Sequence, residues 1–495
     1  MPTVPLPDDP SLEQLRQQAK DLRDLARAGV PGALDLIAAH HPGGAHAVTL
    51  TGARLVVARH HGFSSWARLQ ERVQMIERYR RAPDEVETTV GPADEFLALA
   101  CLRFGGDDSP ERWERGATVL AGHPELARTN IHVAAAAADE DSVRALLLAD
   151  PALASREGGP YGWEPLLYLV YARHDRQITE PATLGTARVL LEHGADPNAG
   201  YLWHGLYPPF TAVTGALGSS SDDEHPHGFA LAALLLAAGA DANDGQALYN
   251  RQFGRDDRHL VLLFDHGLGR GDGGPWAARF GHAADSPSEM LRGQLWWAIV
   301  HDMRERVKLL VEHDVDFVTP YAAPGGRPTG LRTSHDRTPA ELAALSGYQE
   351  LADWLVAQGA GPPALNETDS MIAAVLAGDR DGAMRLRAQA AAAREERPGL
   401  MVWAAACRKP GAVALLAELG FDVNALGRGD IPAEAPWRTA LHQAASQGDV
   451  EMARLLLSLG ADPNIRSAWG ATPLAAARRS GHQDMAELLA PLTSA

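Results

Sequence analysis

Lysine is almost missing from this chain of 495 residues. It occurs at Lys20, Lys308 and Lys409, and arginine supplies the rest of the 45 basic side chains, which reads as the codon bias of a GC-rich genome. Acidic residues number 63 and the formal net charge is −18. Nucleic-acid binding draws most of its affinity from Lys and Arg neutralising phosphates, so nucleic acid is not an expected partner, whereas neutral and basic partners are. Cysteine is scarce too. Cys101 and Cys407 lie far apart in Ala/Leu-rich helical patterns, which predicts two buried thiols in a reducing compartment. No apolar run approaches the ~20 residues of a membrane span. The opening MPTVPLPDDP has neither the basic nor the apolar region of a secretory signal, so the expected location is the cytoplasm. Gly-x-Ser-x-Gly, His-Glu-x-x-His and Cys-x-x-Cys do not occur, which argues against the common hydrolase and zinc mechanisms. No reaction can be read, and neither a cofactor nor a metal is expected.

What the chain does have is repetition. Thr439-Ala-Leu-His442 is followed by a short helical run, Gly448-Asp449, a Leu-rich run and Gly460-Ala-Asp-Pro-Asn464; 33 residues after Thr439 comes Thr472-Pro-Leu474, then Gly481-His482. Thr439 and Thr472 are placed to cap a first helix, and Pro473 suits its first position. Gly448 and Gly481 turn the chain between antiparallel helices, and Gly460 closes the second helix in a left-handed conformation. An interval of 19 residues joins Leu441 to Gly460 and recurs from Leu248 to Gly267, Leu295 to Asp314, Ala340 to Gly359 and Met401 to Gly420. Thr129-Asn-Ile-His132 stands at the same distance, counted from Ile131, ahead of Asp150. Trp163 to Gly194 and Thr211 to Gly239 are stretched units, with extra residues around Arg173–Thr183 and Gly218–His227 expected to project as loops. Residues 369–399 form a degenerate unit without the landmarks.

The first 80 residues lack the period. Ser11 with Gln14 resembles a capping box, and Leu12, Leu15, Ala19, Leu22 and Leu25 recur at helical spacing. Residues 1–80 therefore read as a helical module capping the apolar end of the array. A linker and an irregular helical pair follow over 81–125, and repeats fill 126–495 in about nine or ten units, each burying its apolar face on its neighbours.

A 33-residue period with T-P-L-H and G-A-D-P-N landmarks resembles the ankyrin-repeat family, and the segments Leu12–Ala28, His61–Trp66, Gly158–Pro165, Gly271–Trp276 and Asn424–Trp437 are similar to those of bacterial ankyrin proteins of unassigned function. The resemblance implies an all-α ankyrin-repeat solenoid of paired antiparallel helices with projecting loops, plus the small N-terminal helical module. Such proteins are interaction scaffolds whose specificity lies in their loops.

Candidate residues follow from that architecture. His132 and His442, at the T-x-x-H position, are expected to bond their own Thr and backbone. His225 and His227 lie in an acidic loop that reads as solvated, too sparse in ligands for structural zinc. Gly267–Gly274 follows a helix ending, which excludes a dinucleotide fingerprint. Trp296, Trp297, Trp354 and Trp403 fall on helices and are read as core. Trp163, Trp203, Trp276, Trp437 and Trp469 fall in inter-repeat fingers, where exposed aromatics mark binding hot spots. With Tyr161, His204, Asp272 and Asp430 they are the expected partner-binding set, an aromatic and acidic groove for a protein or peptide, a basic one included. A small-molecule-binding protein or an unconventional enzyme, with a pocket closed by the insertions, is the second expectation.

Overall fold

The computed structural model describes residues 4–7, 9–44, 49–87, 89–175, 177–219, 224–321 and 336–493. By packing they divide into two units, residues 1–290 and 291–495. No described helix is long and apolar enough to cross a membrane.

In the first unit, helices Leu12–Arg27, Pro31–His40, Leu50–His60 and Trp66–Tyr79 close a core of their own around Leu15, Ala19, Ile37, Val56, Leu69 and Val73. The Ser11 hydroxyl accepts from the Gln14 N–H as its position suggests, at 3.4 Å. The module packs through its last helix onto an inter-repeat finger: Ile76 joins Leu202, Trp276 and Phe280 in one apolar cluster. Strand β1 (Arg80–Arg81) pairs in parallel with β2 (Gly200–Trp203), which pairs antiparallel with β3 (Phe210–Thr211). The described residues are mostly helical, in keeping with the expectation, and this small sheet is an addition to it. Two arginines carry no strand pattern, so only the finger opposite makes them a strand.

Helix pairs follow. First helices Ile131–Ala136, Pro165–Tyr171, Ala212–Leu217 and Gly245–Arg251 touch in series, as do second helices Glu140–Ala149, Glu180–Glu192, Gly228–Ala237 and Arg258–Asp265. In the second unit the same serial packing joins Leu400–Ala406, Ala440–Gln447 and Pro473–Arg479, and their partners Pro410–Glu418, Val450–Ser458 and Gln483–Leu489. The recurring interval has a conformational cause. Gly194, Gly239, Gly267, Asp314, Gly359, Gly420 and Gly460 all have positive φ where a repeat closes, whereas Asp150 is extended at φ −148°. Thr439 and His442 form a complete capping box, and Thr338 with Glu341 forms another. At the first repeat the cap is Asn130, which accepts from the His132 and Val133 N–H groups, not Thr129. The degenerate stretch holds Glu367–Ala377 and then broken short helices, Arg380–Arg385 and Ala390–Glu396.

The stretched units differ from expectation. Arg173 and His174 are buried, and so is His225. Arg173 donates to the carbonyls of Val170, Ala172 and Gly215, and His227 Nε2 donates to the Ile178 carbonyl at 2.6 Å. The two insertions thus cover each other instead of projecting (residues 176 and 220–223 lie outside the described residues). The void between them is about 10 Å³, room for one water at most. The solvated-loop expectation for His225 is corrected for the same reason.

Gly347 tests how tightly the helix pairs are set. Its φ is +77°, and a Cβ there would lie 2.4 Å from the Leu376 carbonyl carbon. Gly359, at φ +115°, faces open space. Gly359→Ala is expected to lose roughly 1–2 kcal/mol in urea denaturation, from backbone conformation alone. Gly347→Ala should lose distinctly more, because helix Glu367–Ala377 must move. Equal losses would contradict the close approach.

Candidate functional site

The fingers of the first unit carry six of the nine expected residues. Their aromatics point inward. Trp163 is 1% exposed, stacks on Tyr201 with centroids 5.0 Å apart, and meets Tyr168 and Tyr171. Tyr161 lies 4.6 Å from Trp163, and its hydroxyl donates to the Ala98 carbonyl at 2.7 Å. Burial raises the Tyr161 phenol well above its ordinary value. Trp276 is buried as well, its Nε1 donating to the Asn198 carbonyl at 3.0 Å and its ring set edgewise against Tyr79. The expectation of exposed aromatic fingers is therefore corrected at Tyr161, Trp163 and Trp276. A finger cannot shed water from its own backbone without packing its large side chains down, and the N-terminal module covers what is left.

Trp203 and His204 are half-buried, with ring centroids 4.4 Å apart. His204 Nε2 bonds both carboxylate oxygens of Asp84, at 2.8 and 3.0 Å, so it is engaged by the chain itself. Asp272 is exposed and accepts from the Gly274 N–H, shaping the glycine-rich turn.

Asp430, Trp437 and Trp469 belong to the second unit. Trp469 is 61% exposed and meets Trp437 edgewise at 5.5 Å. The Arg428 guanidinium lies 3.8 Å over the Trp437 ring, and Arg438 lies 5.4 Å over Trp469. Asp430 is exposed, holds Arg428 through its carboxylate and accepts from His301 Nε2 at its carbonyl. The structure thus brings together Trp437 with Trp469, Trp203 with His204, and Tyr161 with Trp163.

Of the histidines at the T-x-x-H position, His442 bonds its Thr and backbone as the sequence suggests, whereas His132 bonds backbone and not its own Thr. His442 Nδ1 bonds the Thr439 hydroxyl, and Nε2 donates to the Ala471 carbonyl, both at 2.8 Å. His132 Nε2 donates to the Arg156 carbonyl at 2.8 Å. Each imidazole ties its helix to the next finger, and burial lowers both pKa values. Trp296, Trp297 and Trp403 are buried and Trp354 half-buried, in keeping with a core role.

One residue passed unnoticed in the sequence. Where a later repeat reads Thr472-Pro473-Leu474, this one reads Glu164-Pro165-Leu166. Glu164 precedes helix Pro165–Tyr171 yet makes no side-chain cap, and its Oε2 is buried without a hydrogen-bond partner. Burial, reinforced by the charges of Asp196 and Glu157, pushes its carboxyl up to about 7. The departure from Thr-Pro-Leu was the available signal.

Residues 400–494 match the family model for ankyrin repeats, in three copies. This part of the chain is an ankyrin-repeat module, and ankyrin repeats are protein–protein interaction modules. The chain is similar to Protein PhlB of Serratia liquefaciens, 38% identical over 117 residues that make up 22% of this chain and 47% of PhlB. It is also similar to Potassium channel AKT3 of Oryza sativa subsp. japonica, 45% identical over 75 residues, 14% of this chain and 8% of the channel. The chain thus spans less than half the length of either relative.

Proposed function

We propose that this is a cytoplasmic bacterial interaction protein that grips a protein or peptide through the fingers of its ankyrin repeats, with Trp469 and Trp437 as the aromatic contact. The exposure of Trp469 carries this reading. Arg438 covers part of that indole and 61% of the side chain still faces water. Trp and Arg are the residue types that dominate interface energies, and here two of each sit together. The net charge of −18 would speed encounter with a basic partner. Asp430 is the acidic group of the patch, steadied by Arg428. A groove shared by all nine expected residues is no longer needed for this function, because three of them serve as core.

Trp469→Ala is expected to weaken partner binding about 30-fold, the loss of roughly 2 kcal/mol typical of a hot spot. Its effect on stability should stay within about 0.5 kcal/mol, as for other exposed positions. Calorimetric titration and thermal melts on the same protein separate the two. Unchanged affinity would remove Trp469 from the interface.

A further inference from the structure

A polar cleft of about 80 Å³ opens in the first unit where the N-terminal module meets two fingers and the helix Gly274–Phe280. Its walls carry three acids, Glu157, Glu164 and Asp196, and three arginines, Arg78, Arg81 and Arg279. Half of these charges are already matched. Glu157 takes Arg78 at 2.7 Å and Arg81 at 3.2 Å. The others have no such match. Glu164 Oε2 is buried without a partner, and the Asp196 carboxylate accepts from the backbone N–H of Asn198. Arg279 lies between the rings of Tyr79 and Trp276, at 5.2 and 4.6 Å, with its Nη1 buried and unpartnered. The indole N–H of Trp163, a side chain 1% exposed that lines the same cleft, also lacks a partner.

Buried polar groups are normally hydrogen-bonded, and each one left unmade costs about 1–3 kcal/mol. Here the Glu164 acceptor, the Arg279 and Trp163 donors and the Tyr201 hydroxyl are left over among the residues lining one small space, beside the Asp196 carboxylate. A simple cation would satisfy Glu164 and Asp196 and leave Arg279 unmatched, while a simple anion would do the reverse. The volume is too small for a nucleotide.

We propose that this cleft binds a small zwitterion of the amino-acid class, its ammonium group held by Glu164 and Asp196 and its carboxylate by the Arg279 guanidinium. The aromatic walls of Trp276 and Tyr79 would flank the carboxylate end, and Trp163 would donate to it. Replacement of the helix-capping Thr by Glu164 gives up a cap and supplies the ammonium site in its place. The proposal does not depend on partner binding in the second unit.

The test is calorimetric titration of the full chain with the twenty protein amino acids, with acetate and methylammonium as half-ligands. At least one amino acid should bind at about 10 mM or below, and both half-ligands should bind at least about tenfold more weakly. Glu164→Gln and Arg279→Gln, verified as folded by their melts, should each lower affinity by about tenfold or more. Binding at pH 6 should also release a proton, read from the dependence of the heat on buffer, because an ammonium group favours ionised Glu164. Glu164→Gln should abolish that release. No binding across the panel would overturn the proposal, as would equal binding of acetate alone or full affinity in both variants.

Discussion

Trp163→Ala is expected to destabilise the protein by roughly 3–5 kcal/mol, the range for removing a buried tryptophan. The indole is 1% exposed and contacts four tyrosine rings, those of Tyr161, Tyr168, Tyr171 and Tyr201. Tyr201 in turn stacks on Phe210 at 5.5 Å, so the cavity would open between the Trp163 finger and the next one, which holds strands β2 and β3. Urea denaturation should show the loss as a lower midpoint. Any fall in partner binding by this variant should follow the unfolded fraction. Trp469→Ala should show the opposite pattern, with affinity lost and stability kept. A stable Trp163→Ala protein with selectively lost binding would mean that the finger opens to expose its indole.

Acid is the second large perturbation. Burial lowers the imidazole of His174 to about 4, and that of His225 moves well below its ordinary value for the same reason, with Arg173, His227 and His174 adding repulsion. His174 packs edgewise on Phe96 at 4.9 Å, and its Nδ1 has no hydrogen-bond partner. An unfolded histidine takes its proton near 6.5, so stability is fully present above that pH and falls as pH drops toward 4. For His174 alone the fall is roughly 3 kcal/mol at its limit. Glu164 runs the other way. Its carboxyl is raised to about 7, so its contribution is present below about 4.5 and fades as pH rises toward 7. Comparing His174→Gln with the unaltered chain isolates the histidine. Melting temperatures at pH 5 and pH 7.5 should differ less in the variant, and an unchanged difference would place the acid sensitivity elsewhere.

The repeat was legible because each landmark is local. The interval from Leu441 to Gly460 needs only one helix pair and one left-handed residue, and Thr439 with His442 needs only a single helix turn. Non-glycine residues hide the same turn elsewhere: Ala138, Asp302 and Arg408 take positive φ between paired helices, where Gly448 and Gly481 do so openly. The burial of Trp163 was not legible, since a finger segment rich in glycine and proline reads the same whether its aromatic points out or in. The mutual covering of the two insertions was hidden for a related reason. His227 finds its acceptor at Ile178, 49 positions away, a distance that no periodicity reports. The docking of the N-terminal module was likewise invisible, because Ile76 and Tyr79 look like one more amphipathic face until Leu202 and Trp276 are set against them.

The most direct test of partner binding through the ankyrin fingers is affinity capture from native lysate of the source cell. The unaltered chain and Trp469→Ala would serve as matched baits, both shown to melt at the same temperature. Partner binding through these fingers requires a protein retained by the unaltered chain, released as salt rises, and reduced about tenfold or more on Trp469→Ala. Equal retention on the two baits, or a bound partner indifferent to salt, would contradict it.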